Sequence, residues 1–315
     1  MIDDKKGYIF DVQHFSLHDG PGIRCNVFLK GCNLRCLWCH NPESIMTRPL
    51  ELSFVANRCI GCGYCFKTCP NQCHTTDDGV HKLDWLKCVR CGLCAKECFS
   101  QSLTTLGRTV TAQEVIDEVM RDQIFYGNNG GITLSGGEPM LQRSFVKALL
   151  SLAKNHNLHT ALETCAVYDY SRLDGVKENV DLFLVDFKAS NPEDHKILTG
   201  ADNALIYENL KKLHEEQYNV LLRCPIVSGQ NDTTEHFKKI AELTNEYPDF
   251  IGAELLPYHK LGVSKINRFG LMDVIPCVGY DTATKETEQY WIDTVRSFGG
   301  RLVNEDVLLT YTSNK

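Results

Sequence analysis

Sixteen cysteines in 315 residues, thirteen of them ahead of residue 100, constrain this chain more than any other feature. Eleven fall into three tight runs: Cys32, Cys36 and Cys39; then Cys59, Cys62, Cys65 and Cys69; then Cys88, Cys91, Cys94 and Cys98. A short secreted domain with such a count reads as a disulfide framework. This chain is long, and its first residues, MIDDKKGYIF, lack the apolar core of a signal peptide. Clustered thiolates in a reducing compartment point instead to metal, and a cytoplasmic protein is expected. No apolar stretch approaches the ~18–20 residues that span a bilayer. A net charge of −7 without a basic run argues against nucleic acid or a membrane as partner.

The runs also divide the chain. Residues 1–48 contain one strand-like run and the first triplet. Residues 49–106 hold the eight remaining clustered cysteines, with little apolar periodicity. From Gly107 to residue 315 the composition is ordinary, and strands alternate with helices. Strands are predicted at Ile23–Leu29, Ile132–Ser135, Leu158–Leu162, Leu182–Phe187, Val220–Val227 and Ile251–Leu256. Helical patterns lie between and after them, the clearest starting at Thr111 with Glu114 three residues on, a capping-box signature. Strands separated by helices imply a parallel sheet. The expected fold is therefore α/β, a partial (β/α)6 barrel of residues 1–48 and 107–315, with residues 49–106 inserted. In such barrels chemistry collects where strands end. There stand the first triplet, then Gly136-Gly137-Glu138-Pro139, Glu163-Thr164, Asp186 and Lys188, and Pro257-Tyr258-His259, while Arg223 lies within its strand.

A cuboidal four-iron cluster normally takes four thiolates. Cys32, Cys36 and Cys39 offer three with no local fourth, which would leave one iron open to substrate or cofactor. A zinc knuckle, or a structural cluster completed by a distant cysteine such as Cys25, is the plainer alternative. Cys25 sits in a strand and reads as a packed thiol. The two later runs share one spacing, x2, x2, x3, that of bacterial two-cluster ferredoxins, where each fourth cysteine serves the other cluster. That assigns Cys59, Cys62, Cys65 and Cys98 to one cluster and Cys88, Cys91, Cys94 and Cys69 to the other. Only the second copy departs, with Phe99 where Pro70 follows the first. These clusters would relay electrons or staple a segment too small to build its own core. Cys73, Cys165, Cys224 and Cys277 read as spare or packed thiols.

The triplet with Trp38 before its last cysteine resembles the radical S-adenosylmethionine (SAM) signature, and Gly136-Gly137-Glu138-Pro139 resembles that superfamily's second motif. A narrower likeness is carried by His18-Asp19-Gly20-Pro21-Gly22-Ile23-Arg24, Cys39-His40-Asn41-Pro42-Glu43, Asp186-Phe187-Lys188 and Leu255–Gly262. Together they resemble the activating enzymes of glycyl radical enzymes, over roughly residues 7–270. The resemblance implies three [4Fe-4S] clusters, SAM on the open iron, and reductive cleavage to a 5′-deoxyadenosyl radical. That radical would take hydrogen from a glycine of a partner glycyl radical enzyme, with a flavodoxin- or ferredoxin-type protein as reductant.

It implies that Gly136, Gly137 and Glu138 hold the methionine end of SAM. Asp186, Lys188 and His259 would surround its ribose and carboxylate, with Trp38 and Arg223 in the same pocket. Glu163 and Thr164 match a site near the cofactor carboxylate or a bound monovalent cation. Asp19, Gly20, Pro21, Gly22 and Arg24 would lie where the partner's glycine loop enters; read without the family, they are a turn feeding the first strand. Two other functions stay open: radical chemistry on a small molecule or peptide, and an electron carrier that never cleaves SAM.

Overall fold

The computed structural model describes residues 4–275 and 279–303; Cys277 lies outside them. Its strands are β1 (Lys6–Ser16), β2 (Arg24–Leu29), β3 (Glu51–Phe54), β4 (His74–Asp77), β5 (Val80–Leu83), β6 (Leu103–Leu106), β7 (Arg108–Thr111), β8 (Gly131–Gly136), β9 (His159–Thr164), β10 (Leu182–Asp186), β11 (Val220–Ile226) and β12 (Gly252–Pro257). Its helices are α1 (Tyr64–Thr68), α2 (Ala112–Val119), α3 (Arg143–Asn155), α4 (Pro192–Thr199), α5 (Ala204–Glu215), α6 (Thr234–Glu246), α7 (Leu261–Arg268) and α8 (Lys285–Ser297).

Eight strands form one sheet in the order β12-β11-β10-β9-β8-β2-β1-β7. The run from β2 to β12 is parallel throughout. All six predicted strands are in it, shifted at their ends by no more than two residues. They are buried on both faces, as a sheet covered by crossover helices requires. The region before residue 48 departs from expectation: it contains two strands rather than one, because β1 pairs antiparallel with both β2 and β7. Ile9 and Val12 of β1 point inward among polar neighbours, and that weak alternation hides the strand in the sequence.

Helix α2 starts as its sequence demands. Thr111 Oγ1 accepts from the Glu114 amide at 3.2 Å, and the Glu114 carboxylate accepts from the Thr111 amide at 2.7 Å. Val115, Ile116 and Val119 are then fully buried against the sheet. Each such face removes apolar surface from water at about 25 cal/mol per Å².

The sheet is strongly curled. In a flat sheet β2 and β12, five positions apart, would be separated by ~24 Å. Yet His40, after β2, stacks on His259, after β12, with ring centroids 3.9 Å apart. Lys265 likewise reaches Glu43 at 2.7 Å. Side chains from non-adjacent strands therefore converge on the inner face.

The cysteine-rich stretch is framed by β3 and β6, paired antiparallel from Glu51–Leu106 to Phe54–Leu103. Inside it β4 and β5 form a hairpin turning at Asp78 and Gly79, both at positive φ, as a two-residue turn demands. Among the described residues, no helix is long and apolar enough to cross a membrane.

Candidate active site

The triplet occupies the loop leaving β2. Gly31 turns it at φ 99°, and backbone bonds then fasten it on both sides. Cys32 donates to Ile45 O at 3.0 Å, Arg35 to Thr199 O at 2.7 Å, and Leu37 to Leu198 O at 3.0 Å. Cys32, Cys36 and Cys39 share one apolar pocket with Leu34, Trp38, Leu198 and Tyr258. Burial pushes the Cys32 thiol up to about 12 and raises Cys36 and Cys39. Such thiols ionise only when a cation replaces their protons, so metal loading here releases protons. The Leu34 amide points at Cys32 Sγ from 3.4 Å, the kind of donor that stabilises a thiolate ligand.

Among the described residues, no other cysteine completes the set. Cys25, fully buried, faces the outer side of the sheet, accepts from the Tyr126 hydroxyl at 3.1 Å and donates to Asp122 at 3.3 Å. His14 is 3.4 Å from the same sulfur, away from the triplet that it approaches in sequence. Cys165 does share the triplet's apolar pocket, but its thiol turns to Asn33 Oδ1 at 3.6 Å. Cys224 is buried in the sheet core.

Gly136 and Gly137 abut the triplet loop. The Gly137 amide donates to Leu29 O at 2.9 Å, and the Glu138 amide to Gly31 O at 2.7 Å. A Cβ on Gly137 would stand 2.1 Å from Gly31 O and 3.4 Å from Cys32 Cβ. Only glycine permits that approach. Glu138 is fully buried and turned inward: its carboxylate accepts from the Met140 amide at 2.9 Å, Thr164 Oγ1 at 2.8 Å and the Cys165 amide at 2.8 Å. Three of its roughly four lone-pair sites are filled within the protein, leaving one for an ammonium. Burial raises its pKa, with these donors opposing. Thr164, 3.0 Å from the Tyr168 hydroxyl, therefore ties the end of β9 to that of β8.

After β10, Lys188 holds Asp186 at 2.6 Å and is itself buried. Burial disfavours the Lys188 ammonium, but Asp186 and then Cys36 outweigh it and raise the Lys188 pKa. His259 covers His40; burial, then His259, draws His40 down to about 4.

A second group forms around Arg223. Its Nη1 donates to Asp19 at 2.7 Å and Glu163 at 2.8 Å, and its Nε lies 3.3 Å from Glu254. Glu254 escaped the sequence reading; its alternate-residue spacing in β12 was the available signal. Glu163 also meets Ser135 Oγ. Burial pushes Glu163 up to about 7 against the opposing pull of Arg223, with Asp186 and Asp19 adding to the rise. A carboxyl raised in the folded state binds protons that the unfolded chain does not, so stability falls as pH climbs from the ordinary glutamate range through about 7. Glu163→Gln should flatten that slope in thermal melts of the anoxic protein between about pH 5 and 8; an unchanged slope would place its source elsewhere.

The Asp19–Arg24 loop is held from below. Asp19 is bound by Arg223, Ser16 and Asn26. Arg24 is fully buried, donating to Thr133 Oγ1 at 2.7 Å, Ile132 O at 3.0 Å and Pro21 O. Its guanidinium also lies 3.3 Å from His159 Nδ1 and shapes the loop, with Gly20, Pro21 and Gly22 in the turn above it. A Cβ on Gly22 would be 2.7 Å from the Gly130 amide.

Two cavities lie in the cysteine-rich stretch. One is lined by Cys59, Cys62, Cys65, Cys94 and Cys98. The other is lined by Cys69, Cys88, Cys91 and Cys94, with Cys73 beside them. The two copies repeat backbone conformation at matching positions: Gly61 and Arg90, Gly63 and Gly92, and Gln72 and Gln101 all have positive φ. Amide donors reach Cys69, Cys88 and Cys98 sulfurs at 3.3–3.4 Å. His81 Nδ1, unforeseen in sequence, lies 3.3 Å from Cys59 Sγ and is 2.9 Å from His74 through its other nitrogen.

Residues 26–244 match the Radical SAM superfamily. The chain belongs to that superfamily. The isethionate sulfite-lyase activating enzyme of Oleidesulfovibrio alaskensis is 42% identical over 274 residues, 84% of this chain and 88% of that protein. The choline trimethylamine-lyase activating enzyme of the same organism is 38% identical over 274 residues, 85% of this chain and 88% of that protein. SuiB of Streptococcus suis, solved with precursor peptide SuiA, shares the fold with a TM-score of 0.51 at 11% identity, over 90% of this chain and 48% of that one. Within the superfamily, this chain is one of the glycyl-radical-enzyme activating enzymes. It is an enzyme that uses SAM to install a glycyl radical.

Proposed function

We propose that Cys32, Cys36 and Cys39 hold a four-iron cluster whose fourth iron binds SAM. The backbone of Gly136 and Gly137 and the free lone pair of Glu138 then receive the methionine end. Asp186, Lys188, Trp38 and His259 line the rest of the pocket, and Glu163, Thr164 and Arg223 lie beneath, where a monovalent cation would be accommodated among the carboxylates. Bound there, cluster and SAM supply a one-electron scission of a carbon–sulfur bond and a 5′-deoxyadenosyl radical. The chain's own part is to orient SAM, exclude water and admit one glycine. Hydrogen abstraction needs no acid or base, which fits a pocket rich in binding groups but without a nucleophile–base pair.

The curl that brings His40 onto His259 supports a partial (β/α)6 barrel made from residues 1–48 and 107–315. The two cavities and the repeated backbone support residues 49–106 as a ferredoxin-like insert with two further [4Fe-4S] clusters. A flavodoxin- or ferredoxin-type protein would supply the electron, in the cytoplasm, where thiolates stay reduced. The loop Asp19–Gly22 would face the incoming glycine.

The observation that carries this reading is the contact of Gly137 with Gly31 and Cys32, which leaves no room for a side chain between the triplet and the second motif. The test incubates the reconstituted, reduced protein and SAM with glycyl radical enzymes of the lyase classes that its relatives activate. A glycine-centred doublet in the electron paramagnetic resonance (EPR) spectrum is expected. Deoxyadenosine without a protein radical across that panel would turn the reading towards a small molecule or peptide.

A further inference from the structure

A buried ionic joint fastens the cysteine-rich stretch to the catalytic loop. Glu51, at the start of β3, is fully buried and accepts from Arg48 at 2.8–3.0 Å and from Arg90 Nε. Lys30, also fully buried, lies 3.8 Å from the same carboxylate. Lys30 is two residues before Cys32, and Arg90 stands between Cys88 and Cys91. The same Arg90 donates to Phe269 O at 3.0 Å and Gly270 O at 3.3 Å, in the segment after α7. Trp85 lies so close to Gly270 that a Cβ there would be 2.0 Å from its ring. Thus the Cys88 run sits on the core from two directions.

The β3–β6 ladder supplies the direction. Its near end is the Glu51–Leu106 pair, and its far end is Phe54–Leu103, three residues or ~10 Å further out. Gly92 of the Cys88 run faces Thr105, near the inner end. At the outer end Val55 and Ser102 exchange bonds at 2.8 and 2.9 Å, and the Leu103 amide meets Cys98 Sγ at 3.3 Å. Beyond them Ile60 is exposed and nothing lies within 4 Å of a Cβ built on Gly61 or Gly63, while Cys62 and Cys91 are both exposed.

We propose that the Cys69–Cys88–Cys91–Cys94 site is the inner one, docked on the catalytic core through Arg90 and Glu51. The Cys59–Cys62–Cys65–Cys98 site is the outer one, where a low-potential one-electron carrier protein delivers its electron. This rests on the reading that both sites hold four-iron clusters. The balance is one electron lost by the carrier and one gained at the outer site, then passed to the inner site and on to the Cys32–Cys36–Cys39 site.

The test uses the full chain with all clusters reconstituted. In the fully reduced protein, the EPR signal of the catalytic cluster should be broadened by a neighbouring reduced cluster. Cys91→Ala should remove that broadening, and Cys62→Ala should keep it. The reverse pattern, or broadening indifferent to both, overturns the order. Iron counts separate the two failures: unless each variant loses one cluster's four irons, it is the two-cluster reading that fails. Because either alanine can unfold its lobe, the wild-type chain gives a second readout. Hydrogen exchange with a flavodoxin as probe should show protection within residues 56–66; protection at 85–93 instead, or none in the insert, would also overturn the proposal.

Discussion

Cys36→Ala should abolish reductant-dependent formation of 5′-deoxyadenosine while leaving two of three clusters in place. Among the described residues the triplet has no spare cysteine. Cys25 is bound to Tyr126 and Asp122 on the far face of β2, and Cys165 is directed at Asn33. Two thiolates cannot retain a cuboidal cluster. Chromatographic assay of deoxyadenosine, with iron counting on the same sample, reads both halves of the result. Cleavage near the parental rate in the alanine variant would remove the triplet from the chemistry. Loss of all iron would show instead that the catalytic site and the insert fold as one unit.

Much of this arrangement was legible in the chain because its signals are local. Cysteine spacing is set by the size of a cubane, so two sets of four can be written down from the sequence alone. The strands from β2 to β12 are continuous apolar runs between turn residues, which a doubly covered parallel sheet requires. What escaped depends on distant partners. Strand β1 is half polar and is a strand because β2 and β7 flank it. Glu138 is enclosed by the ends of β8 and β9, which fill three of its lone pairs, and two of those partners, Thr164 and Cys165, are remote in sequence. Arg24 looks like a surface residue beside a turn, but it is buried under that turn and bonded to β8. Charge count hides the same way. Arg223 is one cation among three carboxylates from separate segments, and no window of sequence shows that excess.

Glu51→Gln should be the most destabilising single change outside the cluster ligands. The amide keeps the shape and loses the charge. Lys30, whose ammonium has no hydrogen-bond partner within reach, and Arg90 would then lose the carboxylate they share. Burial already lowers the Lys30 pKa, with Glu51 as the main opposing influence. Removing one partner of such a buried pair costs about 3–5 kcal/mol, because the remaining charge stays uncompensated. For a chain of this size that corresponds to roughly 5–8 °C in an anoxic thermal midpoint. Surface pairs such as Lys211–Glu215, both partners more than half exposed, should contribute under about 1 kcal/mol. The decisive control is the double variant Lys30→Met with Glu51→Gln. If the loss is electrostatic, removing the stranded ammonium should recover a substantial part of it, since the coupling of contacting residues is not additive. A double variant no more stable than Glu51→Gln alone would locate the effect in the Arg48 and Arg90 contacts. The joint would then be held by hydrogen-bond geometry rather than by charge balance.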